Sequence, residues 1–126
     1  MTAPVPLFQL LLVFLGGGLG SVCRWGLGFA LQPLLPKFPF NTLLANGMAC
    51  LVLGAVLGLY ATGNVSEERK LLLATGFCGG FSTFSTFTAE TWQLIQNSHY
   101  WAATANVIGS LAVCFVCLLL GLKLTA

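Results

Sequence analysis

The residues able to do chemistry are concentrated between Ser82 and Glu90. Five hydroxyl residues (Ser82, Thr83, Ser85, Thr86 and Thr88) are interleaved with Phe84 and Phe87, and the run ends on a carboxylate. At helical spacing Thr83, Thr86 and Glu90 form one stripe, and Phe84, Phe87 and Thr91 form its neighbour. An aromatic ring carries a positive edge. Two rings beside a polar path therefore touch an anion while excluding water; simple packing is the other reading of such a stripe. Just upstream, Gly76, Gly79 and Gly80 loosen the helix. A broken helix leaves free carbonyls for a hard cation and free amides for an anion; a kink without a ligand is the alternative.

Other polar residues sit inside apolar runs. Thr42 and Asn46 are four apart and share one helix face, as do Asn106 and Ser110 with Gly109 beside them. An amide at membrane depth needs partners, so Asn46 reads either as an interhelical hydrogen bond or as a pore-lining donor. A serine can bond back to its own helix, so the Asn106–Ser110 pair weighs more than Ser110 alone. Arg24, the one base within the first apolar run, either snorkels to the interface or fixes positive charge at the mouth of an anion path. Glu90 is the one acid in the interior of a span. It reads as a proton or cation site, or as a partner held by hydroxyls. An anion path has no use for an unpaired carboxylate at its narrowest point, so Glu90 is expected to be paired or off that line.

The elements that position these residues are membrane helices. Of 126 residues 57% are hydrophobic and only 6% charged, against about a quarter charged in soluble domains. A spanning helix needs about 20 apolar residues. The sequence predicts an all-α membrane protein, one transmembrane domain over 1–126, with spans at about 7–31, 41–61, 67–95 and 102–122. The third is expected to break near Gly79-Gly80. Met1 to Leu15 lacks the basic start of a signal peptide and reads as a retained helix. Pro33, Pro36 and Pro39, with Lys37, mark the first turn. Gly63-Asn64 and Ser66 mark the second, with Glu67 and Glu68 in a helical first turn that suits acids. Residues 96–101 form an interfacial turn with an aromatic anchor. Both termini lie on one side, together with Arg69, Lys70 and Lys123, against Lys37 on the other. That bias is slight and leaves both insertion orientations open.

Gly16 and Gly20, Gly54 and Gly58, and Ala105 and Gly109 repeat the small-xxx-small spacing that lets helices approach closely in lipid. So small a bundle has little interior, which favours a pathway between protomers. Cys23, Cys50, Cys78, Cys114 and Cys117 lie in apolar segments; Cys114 and Cys117 are three apart on an apolar helix with no His nearby, and all five read as small buried hydrophobes. One His, no Asp and no nucleophile–base constellation argue against an enzyme, and no phosphate-binding GxxxxGK[ST] run is present. A scattered net charge of +2 argues against nucleic acid.

The run Gly79-Gly80-Phe81-Ser82-Thr83-Phe84-Ser85-Thr86-Phe87, followed by Thr88-Ala89-Glu90, closely resembles the third-helix signature of the small bacterial fluoride channels, the Fluc or CrcB family. Gly20-Ser21-Val22-Cys23-Arg24-Trp25 resembles that family's first-helix motif, Asn46 its second-helix asparagine, and Gly109-Ser110 its fourth-helix Gly-Ser. The Asn46-Gly47-Met48-Ala49-Cys50 run departs from the family pattern, which has an apolar residue after the asparagine and glycines shortly beyond. The resemblance implies four-helix chains in the bacterial inner membrane. They would assemble as antiparallel, dual-topology homodimers with two fluoride pores between the subunits, exporting fluoride passively. It implies that Phe84 and Phe87 touch fluoride by their edges, Asn46 donates in the pore, and Ser110 and Thr88 lie on a polar track that spacing extends to Asn106. Arg24 would charge the vestibule, and the carbonyls of Gly79 and Ser82 would hold a central structural Na+. Glu90 matches the family's acid, and neither it nor Thr83 is given a fixed role. The alternative class is a proton-coupled small multidrug exporter. Such proteins usually carry a carboxylate in the first helix, where this chain has Arg24 and no acid.

Overall fold

Long apolar runs without interior proline wind into helices, because in lipid every backbone N–H and C=O must find its partner within the segment. The structure, a computed structural model, describes residues 4, 6–31 and 38–125; Pro33, Pro36 and Lys37 of the expected first turn lie outside the described residues. Helix α1 covers Leu7–Leu31 and α2 covers Phe40–Ala61. Helix α3 begins as an α-turn at Glu67–Lys70, widens to π-helix over Leu71–Cys78 and closes with Gly79–Phe81. Helix α4 covers Ser85–Gln96 and α5 covers Tyr100–Thr125. All described elements are helical. By length and composition α1, α2 and α5 are each apolar and long enough to cross a membrane; α3 and α4 lie end to end across a break.

The break falls near the glycines, as expected, but begins two residues past Gly80. Gly79 and Gly80 are helical, and the chain leaves the helix at Ser82, whose backbone is extended (φ −80°, ψ 160°). The glycines serve a different purpose. Gly80 lies against the backbone of Gly17 on α1, and Gly16 and Gly20 lie against the Leu72 and Phe77 carbonyls of α3. A methyl group at Gly16, Gly20 or Gly80 would overlap backbone atoms that have nowhere to go. The other long pair, α2 and α5, repeats the device: Gly54 abuts the Leu118 carbonyl and Gly121 the Leu51 carbonyl. Small residues at these crossings are the membrane solution to helix packing, since lipid offers no hydrophobic drive between helices.

The inside of the chain is correspondingly small-grained. Ala45, Ala49, Val56, Ala74, Cys78, Phe81 and Ala103 are buried, whereas Phe8, Phe14, Leu19, Trp101 and Leu124 are exposed. In water so much outward apolar surface would drive aggregation; facing lipid it is satisfied. The cysteines are free. Of the five, Cys78 is buried and Cys23 is exposed, so the reading of all five as buried hydrophobes fails for Cys23, which lies on the outer face of α1.

The α2–α3 turn is closed by Gly63, whose positive φ of 78° suits a residue without a Cβ. Ser66 caps α3 by accepting from the Arg69 N–H at 3.3 Å. Tyr60 donates to Glu67 at 2.7 Å, and Lys70 lies 3.6 Å from the same carboxylate. The Tyr60 hydrogen bond first, and the Lys70 charge after it, hold the Glu67 carboxyl below the usual carboxylate range.

Candidate functional site

The site is built on the gap between α3 and α4. A helix continuing past Phe81 would send the Thr83 N–H to the Gly79 carbonyl. Instead that N–H donates to Asn46 Oδ1 on α2 at 2.7 Å, and Asn46 Nδ2 donates to the Thr83 carbonyl at 3.1 Å. One amide thus pairs with both backbone groups of Thr83, as a neighbouring strand would. The Thr83 N–H fixes the amide's orientation, since it requires an acceptor. One of the two Nδ2 hydrogens is then left over.

A second substitution completes the break. The Thr86 N–H, which a continuous helix would aim at the Ser82 carbonyl, donates to Thr83 Oγ1 at 3.1 Å. Thr83 therefore caps α4 while Asn46 holds its backbone. Ser82 returns its own hydroxyl to the Cys78 carbonyl at 2.8 Å. The carbonyls of Gly79 and Ser82 both lose their helical donors, and Gly79 is exposed. Uncharged backbone oxygens of this kind suit a hard cation, so this donor set fits Na+. One chain supplies two of them.

Opposite the gap, Asn46, Thr83, Phe84, Phe87 and Ser110 line one cavity of about 230 Å³, with Ser82, Leu111, Cys50 and Cys114 completing the wall. The Phe84 and Phe87 ring centroids are 5.8 Å apart with planes tilted by 43°. Phe84 is 78% exposed on the single chain. The cavity thus offers the spare Asn46 donor and two aromatic rings. A positive helix N-terminus adjoins it, since α4 begins there.

Ser110 enters through a directed chain of hydrogen bonds. Its hydroxyl donates to Asn106 Oδ1 at 3.4 Å, Asn106 Nδ2 donates to Thr91 Oγ1 at 2.9 Å, and Thr91 donates to the Phe87 carbonyl at 2.8 Å. Asn106 is 2% exposed and lies behind the cavity wall. The Ser110 bond is long and therefore weak, and a hydroxyl rotates to suit its partner. Ser110 is thus the one member of this chain able to turn its hydrogen toward the cavity.

Other sequence-selected residues are placed away from this wall. Thr88 is exposed and bonds back to the Phe84 carbonyl at 2.9 Å. Glu90 accepts from Thr42 Oγ1 at 2.5 Å, and Thr42 is buried on α2. Arg24 donates from Nε to the Gly80 carbonyl at 3.3 Å, tying α1 to α3. Its guanidinium also lines a second cavity of about 380 Å³ with Asn41, Thr42 and Thr86. The first turn of α4 contributes to both spaces, through Thr86 to one and Phe84 and Phe87 to the other. Thr42 as the Glu90 partner was not singled out from the sequence beyond its face-sharing with Asn46. Cys50 and Cys114 were read only as packing. Their one signal was the spacing of Cys50, four residues after Asn46, and of Cys114, four after Ser110.

The family model described as CrcB-like protein, Camphor Resistance (CrcB), matches residues 11–122. The chain belongs to the CrcB family. Among its relatives it is 43% identical over 117 residues to the "Fluoride-specific ion channel FluC" of Pyrococcus furiosus, covering 92% of this chain and 94% of that protein. It is 48% identical over 107 residues to the protein of the same name from Nitrosomonas europaea, covering 81% and 84%. It is 43% identical over 104 residues to that of Pectobacterium atrosepticum, covering 82% of each. With three helices apolar and long enough to span, this CrcB protein is a multi-pass membrane protein. The family match includes the whole of the break, Asn46 and Ser110.

Proposed function

We propose that the chain is a fluoride-selective channel that lets fluoride leave the cell passively. The observation that carries this reading is the Asn46–Thr83 pairing. It opens the third span where Asn46, Phe84, Phe87 and Ser110 share one cavity, in a chain whose relatives are named fluoride-specific channels. A small, strongly hydrated anion passes only if the pore replaces its water with donors. Here those are the spare Asn46 N–H, the ring edges and the Ser110 hydroxyl turned off Asn106. Arg24 raises the local anion concentration at the mouth lined by Asn41 and Thr86. Glu90, held by Thr42, keeps its charge off the line through the rings.

The functional unit is an antiparallel homodimer of dual topology, in which each pore is closed by the second subunit. Supporting this, Phe84 is 78% exposed on the single chain, and a wall so open does not exclude water alone. The same second copy brings a further pair of Gly79 and Ser82 carbonyls to a central Na+, which would hold the two breaks together. The chain sits in the cytoplasmic membrane.

Expression in bacteria made fluoride-sensitive tests the reading in cells. Growth on fluoride should be restored, and Phe87→Ile should abolish the rescue at equal membrane abundance. Rescue that persists in both Phe84→Ile and Phe87→Ile variants would remove the rings from the path. Long incubation with a large organic cation in place of Na+ should impair activity and loosen the dimer; indifference would remove the ion.

A further inference from the structure

We propose that Cys50 and Cys114 form a two-thiol site for a soft, two-coordinate cation, of which Hg2+ is the simplest probe, in the wall of the Phe84/Phe87 cavity. The register of the tightest helix pair brings the two together. Helices α2 and α5 run parallel, with Gly47 beside Val113, Gly54 beside Leu118 and Gly58 beside Leu122. Stepping one turn back from Gly54 and Leu118 gives Cys50 and Cys114. Both thiols are free, and both line the cavity with Asn46 and Ser110.

The donor count selects the ion. Among the described residues no group of three or more His, Cys, Asp or Glu side chains gathers to hold a metal. A structural zinc site needs four ligands, so it is not served here. Two sulfurs from facing helices suit a soft cation that accepts two ligands in line. Cys117, three residues from Cys114, lies instead in a separate apolar groove beside Gly47. Cys23 is exposed on α1.

Binding conserves oxidation states. Each thiol loses its proton to water, each sulfur gives a lone pair to the metal, and one Hg2+ releases two protons. The bound ion bridges α2 and α5 beside Phe87 and Ser110 and closes that space. Closure as a loss of fluoride flux rests on the proposed channel function; the binding itself does not.

The test uses the full chain with mercuric chloride and two readouts. Native mass spectrometry, with the ultraviolet sulfur-to-mercury charge-transfer band, counts bound metal. Fluoride efflux from liposomes, with and without mercury, reads closure. C23S/C117S should bind one mercury through two sulfurs and lose efflux to background, with recovery on adding dithiothreitol; the wild type should lose efflux likewise while its exposed Cys23 takes up further metal through one sulfur. C50S/C114S, made in the C23S/C117S background, should lose the two-sulfur charge-transfer band and show the same efflux with and without the metal. Should that variant fail to assemble, C50A and C114A singly carry the same comparison, each leaving one sulfur. An undiminished band in C50S/C114S overturns the site. Wild-type efflux that persists with mercury bound overturns its position in the cavity wall. If the untreated wild type moves no fluoride, the channel reading fails while the metal count still decides the site.

Discussion

Two regions of this chain use the same small vocabulary of residues in opposite ways. At the helix crossings, Gly16, Gly20 and Gly80 join α1 to α3, and Gly54 and Gly121 join α2 to α5, backbone against backbone. At the break, 82–84, the backbone turns away from its own helix and pairs with side chains: Thr83 with Asn46, and Thr86 with Thr83. The comparison separates two things that glycine in a helix can signal. Here the glycines make contact, and the polar side chains make the break.

Enlarging a crossing glycine should have the largest effect. Gly54→Leu or Gly121→Leu forces a side chain into backbone, where overpacking costs about 1–3 kcal/mol or more. We expect loss of folded protein on size-exclusion chromatography in detergent; normal yield with normal activity would show the seam to be loose. Asn46→Ala comes next. It leaves the Thr83 N–H and carbonyl without their partner, each at about 1–3 kcal/mol, and it removes the proposed donor. Folded yield should fall and fluoride flux should vanish. Asn46→Asp sharpens the point: it keeps the acceptor for the Thr83 N–H and adds a negative charge, so it should retain more fold than Asn46→Ala and still pass no fluoride. Phe87→Ile should leave chromatography unchanged and cut flux, because the ring edge, unlike the seam, is not holding helices together. Thr88→Ala should have the smallest effect, since its hydroxyl only returns to its own helix at Phe84. A flux loss there equal to that of Phe87→Ile would place Thr88 on the path after all.

The contrast also explains what could be read from the chain beforehand. Membrane helices follow from composition alone, because 6% charge leaves no soluble surface. The hydroxyl and phenylalanine stripes follow from spacing, and so does the pairing of Asn106 with Ser110 on one face. The residue at which the break starts does not. Gly79-Gly80 carries the stronger local signal, but the deciding contacts come from Asn46 on another helix and from Gly17 on a third. Glu90 was expected to be paired, and its partner Thr42 lies 48 residues earlier, a separation that no local pattern reports. The role of Arg24 was open between interface and path; its Nε bond to the Gly80 carbonyl is a third use, as a tie between helices.

The central claim is that this cavity selects fluoride, and paired ion efflux tests it most directly. Purified protein in liposomes loaded with both fluoride and chloride should, on adding a potassium ionophore, release fluoride rapidly while chloride stays inside. Release of the two ions at equal rates, or of neither, would contradict the account.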